Sequence, residues 1–206
     1  MENYADIFFK EAVADLQRED GMFDRFQRMY PGRTSPSLTD DEVRFIASAN
    51  SFYMATVSAD GWPYVQHRGG RRGFLRPTGP AQLAYADYRG NRQFISTGHL
   101  KQDDRVSIFL MDYLNKGRLK MQGHARILPV AEVEPELVAQ LDTDGGVTER
   151  VGIIDVIATD WNCPQYIPDL YPADVVRQIS GDKLAELQAE NQALKDELAI
   201  LKGERR

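Results

Sequence analysis

The chain carries a single cysteine, Cys163, in 206 residues. That excludes an internal disulfide framework, and Cys163 reads as a packed small residue rather than a nucleophile. Histidine is also scarce. His67, His99 and His124 have no partners at metal-ligand spacing, so no metal site is expected. No apolar run approaches the roughly 20 residues that span a bilayer. The opening MENYADIFFK is acidic and lacks a basic n-region or an apolar h-region. No signal peptide is expected, and the expected location is the cytoplasm. Basic charge is in deficit, with Lys+Arg 25 against Asp+Glu 31 and a net charge of -6. That argues against a coat for nucleic acid or anionic membrane. There is no P-loop, no G-x-G-x-x-G and no nucleophile elbow.

What is present suits a globular domain: 42% hydrophobic and 27% charged residues, in a chain long enough to bury a core without staples. Residues 4–18 predict an amphipathic helix with Phe8, Phe9, Ala12, Val13 and Leu16 on one face. Gly21 interrupts it, Phe23 to Tyr30 continue as a second short turn or helix, and Pro31 to Ser37 form a loop. Leu38 to Val43 is a helix start: Thr39 caps, Glu42 closes a capping box, and Leu38 and Val43 form a staple. That helix is expected to end near Asn50.

The period changes at Ser51. Ser51 to Ser58 is rich in aromatic and β-branched residues, Asp60-Gly61 follows, and Trp62 to Arg68 answers it, which predicts a hairpin. Gly73 to Arg76 and Gln82 to Ala86 predict two further short strands. Arg89 to Leu100 reads as a loop and then a short helix. Arg105 to Tyr113 is an apolar strand, and Asn115-Lys116-Gly117 is a turn. Arg118 to Leu128 alternates cleanly, with Leu119, Met121, Ala125 and Ile127 on one face. Arg118, Lys120, Gln122, His124 and Arg126 take the other. Residues 130–141 read as helical, and Thr148 to Thr159 as a last strand. Six or so strands with tight turns predict a mostly β domain with flanking helices, an antiparallel barrel rather than a βαβ sheet.

Charge is unevenly spread. Between Gln66 and Arg92 stand six arginines (68, 71, 72, 76, 89 and 92) and one acid, Asp87, for +5 in 27 residues, which leaves -11 elsewhere. Glycines 69, 70, 73, 79 and 90 are interleaved. Guanidinium forks bind phosphate oxygens bidentately, and glycine lets backbone amides approach an anion. This pattern points to a phosphate-bearing ligand; the alternative is a solvated basic edge. On the alternating strand, Arg118 is the strongest ligand candidate because it lies nearest the turn.

The tail is separate. Leu184, Leu187, Asn191, Leu194, Leu198 and Leu201 are spaced 3, 4, 3, 4, 3, an a/d heptad seam with Asn191 at an a position. This predicts a C-terminal coiled-coil helix and parallel two-stranded self-association; the alternative is a helix packed on its own domain. A zipper reader of DNA needs a basic helix running into its heptads. Here the preceding Ile167-Pro-Asp-Leu-Tyr-Pro-Ala-Asp is acidic and proline-broken, so no nucleic-acid partner is expected.

Phe52-Tyr-Met-Ala-Thr-Val-Ser-Ala-Asp-Gly-Trp-Pro-Tyr-Val-Gln resembles the first hairpin of the pyridoxamine 5'-phosphate oxidase family. Leu83-Ala-Tyr-Ala-Asp-Tyr-Arg-Gly-Asn-Arg-Gln resembles its second segment. Asp104-Arg-Val-Ser-Ile-Phe-Leu and Arg118-Leu-Lys-Met-Gln-Gly-His-Ala-Arg resemble its later strands. Trp161-Asn-Cys-Pro-Gln-Tyr-Ile is similar to a signature of an oxidase-related branch. The resemblance implies an FMN-binding split β-barrel over residues 38–170, between an N-terminal helical segment (1–37) and the heptad helix (181–206). It also implies a homodimer with FMN in clefts shared by both subunits. By resemblance the FMN contacts fall on Gln66, His67, Arg68, Gly69 and Arg71, then on Tyr85 and Ala86. The family's phosphate clamp falls on Gly90, Asn91 and Arg92, where only the last basic position survives. A ring-contacting position falls near Arg118, and late contacts around Trp161 and Gln165.

The family's substrate-phosphate residues are missing, since Glu132 to Asp144 is acidic and has no Arg. The expected function is therefore an FMN-dependent oxidoreductase acting on a small substrate other than pyridoxamine phosphate. The alternative is a non-catalytic flavin-binding or sensor protein. Catalytic side chains are not assigned: flavin does the redox chemistry, and Arg68 or Arg118 would stabilise its reduced anion.

Overall fold

Two runs of β-forming residues around Asp60-Gly61 build the first hairpin. In the computed structural model, which describes residues 1–30, 37–142, 145–161 and 165–203, they are β1 (Ser51–Val57) and β2 (Pro63–Gly69). Gly61 turns the chain at φ +81°, a conformation open to glycine. β3 (Arg76–Gly79), β4 (Gln82–Tyr88), β5 (Arg105–Asp112), β6 (Gly117–Pro129) and β7 (Thr148–Trp161) complete a seven-stranded sheet. Its order is β2-β1-β5-β6-β7-β4-β3, antiparallel throughout.

The strand expected at Gly73 to Arg76 begins only at Arg76. Gly73 turns the chain at φ +82°, and Phe74 and Leu75 drop into the core instead of pairing.

The sheet rolls on itself as a split barrel. β2 is an edge and β4 stands sixth in the order, yet Arg68 of β2 pairs with Asp87 of β4. Strands that far apart along a sheet meet only if it curls. The inward face carries Phe52 and Met54 of β1, Ile108 and Leu110 of β5, and Leu119 and Met121 of β6, all fully buried. At the β4–β7 pair Gly152 stands opposite Tyr85, whose ring fills the space a Cβ at 152 would need.

Helices flank the sheet. α1 (Tyr4–Phe8) and α2 (Glu11–Glu19) replace the single helix expected over 4–18, and α3 (Phe23–Met29) falls where the second short turn or helix was expected. Phe9 breaks the longer helix at φ -87°, ψ 56°, and its ring packs edge-on against Phe26 and Tyr30 at 5.6 and 5.2 Å. The predicted apolar face is thereby divided, and Phe8, Val13 and Leu16 are exposed. The segment is nonetheless fastened to the barrel. The Tyr30 hydroxyl donates to Oδ1 of buried Asp160 at 3.0 Å, and Lys120 Nζ lies 2.7 Å from the other oxygen.

α4 (Asp40–Ser48) starts at the expected capping box. The Glu42 N–H donates to Thr39 Oγ1 at 3.3 Å, and the Thr39 N–H donates to Glu42 Oε2 at 2.7 Å. Such a cap contributes about 1 kcal/mol. Leu38 and Val43 join the core beside it. α5 (Ile95–His99) follows β4. The helix expected over 130–141 is a single 3₁₀ turn (Val130–Glu132) and then α6 (Pro135–Leu141), because Pro135 favours a fresh helix start. Leu137, Val138 and Leu141 of α6 pack with Ala84, Ala86 and Val151.

The chain divides into two units, Met1–Asp112 with Gly117–Gln165, and Tyr113–Lys116 with Tyr166–Arg206. The second contains α7 (Ala173–Gly203), a helix of 31 residues none of which is buried. Pro31 to Pro36 of the expected loop, Cys163 and the last residues of Glu132 to Asp144 lie outside the described residues. No helix among the described residues is long and apolar enough to cross a membrane.

Candidate functional site

The rolled sheet brings β2, the end of β4, the start of β7 and α5 around one polar cavity of about 70 Å³. Period 2 on β2 turns Tyr64, Gln66 and Arg68 towards it, while Val65, His67 and Gly69 fall on the exposed face. The loop after β4 contributes Asn91, Arg92 and Phe94, and α5 contributes Ser96 and Thr97. Ser96 Oγ donates to Gln66 Oε1 at 2.7 Å, which ties α5 to β2.

The cavity wall is built on one buried carboxylate. Asp87 is 4% exposed and accepts from both Arg68 Nη1 and Arg150 Nε, the latter at 2.8 Å. The Arg68 guanidinium also lies over the Tyr85 ring, 5.5 Å from its centroid. Burial pushes the Tyr85 phenol up to about 12, so it stays protonated. The Arg68 Nε is buried with no acceptor among the described residues. Arg150 also lies over the Phe94 ring, at 5.0 Å.

Glu149 forms a second, more exposed cluster. Its Oε1 accepts from Arg89 Nε at 2.6 Å and Arg92 Nη2 at 3.3 Å. The Arg89 hydrogen bond holds this carboxyl below its ordinary range, with Arg92 and Arg150 adding to the effect. Arg92 itself is 60% exposed. Arg92 (φ 62°) and Phe94 (φ 54°) both take the left-handed conformation. For non-glycine residues this costs about 1–3 kcal/mol each, and such strain gathers at ligand clamps.

The lining of this cavity therefore holds three guanidiniums, from Arg68, Arg92 and Arg150, against the one carboxylate of Asp87. A larger cavity of about 640 Å³ lies beside α6. It is lined by Glu132, Glu134 and Asp142 with no cation, so it is unsuited to a phosphate.

Of the residues singled out in the sequence, the cavity gathers Gln66, Arg68, Gly90, Asn91 and Arg92. His67 turns outward against Tyr53 at 5.5 Å, and Gly69 lies on the same exposed side. Arg71 sits in the exposed turn after β2. Tyr85 and Ala86 are buried in the packing of β4. Arg118 lies on β6 opposite Met111, away from the cavity. Trp161 ends β7 edge-on to Phe45 at 4.9 Å, and Gln165 is an exposed residue beyond it.

Four residues on the charged face of β6 are likewise committed to partners on or beside the sheet. Lys120 meets Asp160, Gln122 donates to Ser107 Oγ at 3.0 Å, His124 meets Asp104, and Arg126 meets Asp155. Burial acts to raise the Asp155 pKa, but hydrogen bonds from Gln82 and Arg126 outweigh it and bring it below its usual value. Asp87, Glu149, Arg150 and Phe94 were not singled out as site residues in the sequence. Arg150 lies far outside the basic window and reaches Asp87 only through the β4–β7 register.

The sequence profile described as Pyridoxamine 5'-phosphate oxidase matches residues 38–149, more than half of the chain. The chain belongs to that family. Solved structures of similar fold include HupZ of Group A Streptococcus, with 19% identity and a TM-score of 0.49, over 65% of this chain and 99% of that one. Another is an F420 reductase, at 18% identity and TM-score 0.44, over 60% and 98%. A third is a Clostridium acetobutylicum protein related to general stress protein 26, at 14% and 0.42, over 65% and 92%. Nothing matches among the curated proteins.

Proposed function

We propose that this cleft holds the phosphate of FMN and that the chain is a flavin-dependent oxidoreductase. Its substrate is a small molecule other than pyridoxamine phosphate. The observation that carries this reading is the convergence of Arg68, Arg92 and Arg150 on one cavity against the single carboxylate of Asp87. Glu149 also pairs with Arg92 and Arg150 but shares itself with Arg89, so the cluster as a whole holds four guanidiniums against two carboxylates, and that surplus of two positive charges matches a phosphate monoester, which carries about -1.5 to -2 near neutral pH. The donor chemistry fits as well, because the buried Arg68 Nε still lacks an acceptor. FMN, when bound, supplies the hydride and electron transfer. The residues of the chain anchor the phosphate and keep positive charge beside the cofactor.

One chain supplies about 70 Å³ here, well short of the ~300–1,000 Å³ of ordinary ligand pockets. A homodimer in which a second subunit covers the flavin ring is part of this reading. The test is a titration of the purified protein with FMN, followed by anaerobic NADH or NADPH. Tight binding with bleaching of the flavin absorbance supports the oxidoreductase. Binding without reduction by any donor favours the non-catalytic flavin protein. No binding overturns the site.

A further inference from the structure

α7 has no buried residue along its 31 positions. A helix of that kind draws its stability from a partner that covers its apolar face. Its five seam leucines, 184, 187, 194, 198 and 201, are 49–60% exposed. The residues beside that seam identify the partner.

With Leu184 at position a, the g positions are Lys183, Glu190 and Glu197, and the e positions are Gln188, Lys195 and Lys202. In a parallel, in-register pair each g residue meets the e residue five positions later on the other helix. Glu190 then meets Lys195, Glu197 meets Lys202, and Lys183 meets the neutral Gln188. Each pair occurs twice by symmetry, which gives four attractions and no repulsion. An antiparallel pair over the same seam sets g against g and e against e, so that Glu190 meets Glu197 and Lys195 meets the neutral Gln188, which replaces the four attractions with two repulsions. Asn191 lies in the middle of the seam, and a lone Asn at an a position favours two helices in register.

We infer that residues 184–202 form a parallel, in-register coiled coil with the same segment of a second copy of this chain. The pairing stands whether or not the cleft binds flavin.

The test uses full-length protein with Cys163→Ser as background. Leu184→Cys, at one end of the seam, should form a disulfide-linked dimer on mild oxidation. It should do so on the order of tenfold faster than Ala189→Cys on the outer face, since a paired seam raises the local thiol concentration. Equal rates, or a Leu184→Cys chain that crosslinks only to a Leu201→Cys chain, would overturn the parallel pairing.

Charge reversal provides a second measurement that keeps every leucine. Glu190→Lys with Glu197→Lys turns four attractions into four repulsions. That should slow crosslinking in the Leu184→Cys background on the order of tenfold. Mixing that chain with a Lys195→Glu, Lys202→Glu chain should restore it as a mixed dimer. Crosslinking indifferent to both changes would overturn the inference, and would leave another surface as the helix's partner.

Discussion

Arg150 stands directly opposite Asp87 in the β4–β7 register, and its Nε donates to Asp87 Oδ2 over 2.8 Å. Arg68, reaching in from the edge strand β2, takes the other carboxylate oxygen. One buried acid thus ties the edge strand β2 across the rolled sheet to β4 and β7 and holds two of the cleft's guanidiniums.

Asp87→Asn should therefore be costly. It leaves Arg68, whose side chain is 16% exposed, without its counter-charge, and Arg150 with Glu149 alone at 3.5 Å. Removing one partner of a buried pair costs about 3–5 kcal/mol. Denaturant unfolding should show a lower midpoint with an unchanged m-value. A loss under about 1 kcal/mol, the size of a surface pair, would mean that Asp87 is not the joint described.

Stability should fall on acidification. Glu149 and Asp155 are both held below the ordinary carboxylate range. A depressed pKa adds stability that is present above the unfolded value, about 4, and is lost as pH falls through the folded value. Glu149→Gln should flatten the acid side of the stability curve. A mutant curve parallel to that of the parent would contradict the assignment.

Deleting residues 181–206 should leave flavin binding within about twofold of the full chain. The cleft is lined wholly by the first unit, and the deleted residues belong to the second. Lost flavin binding on truncation would make the tail part of the site.

Pyridoxamine phosphate should not be turned over. The stretch where the resemblance would place the substrate's phosphate ligands holds Glu132, Glu134, Glu136 and Asp142, and no basic residue. A steady-state assay with oxygen giving a turnover of about 1 per second or more would overturn this.

Much of the barrel was legible because it rests on local rules. The Asp60-Gly61 turn and the Thr39–Glu42 capping box appear where expected, and the alternation over Arg118 to Leu128 is broken where the β6–β7 register shifts at Gln122 and Gly123, both of which are buried. The helix expected over 4–18 divides because Phe9 packs on Phe26 and Tyr30, and no short-range period records that contact. Half of the site was hidden for the same reason. Arg68 and Arg92 stood out by charge density, but Arg150 is 63 residues from its partner Asp87 and meets it only through strand register. The window also concealed its own neutralisation, since Asp87 and Glu149 occupy several of the cluster's guanidiniums.

The phosphate site is tested most directly at Arg92, which is 60% exposed and whose partner Glu149 keeps Arg89. FMN and riboflavin affinities should be measured side by side for the parent, Arg92→Ala and a control, Arg126→Ala. A charge-assisted bond contributes roughly 1.5–3 kcal/mol, so Arg92→Ala should weaken FMN about 10- to 150-fold. It should weaken riboflavin, which lacks the phosphate, far less, and Arg126→Ala should change neither. Equal losses for the two ligands, or no loss of FMN, would contradict a phosphate held in this cleft.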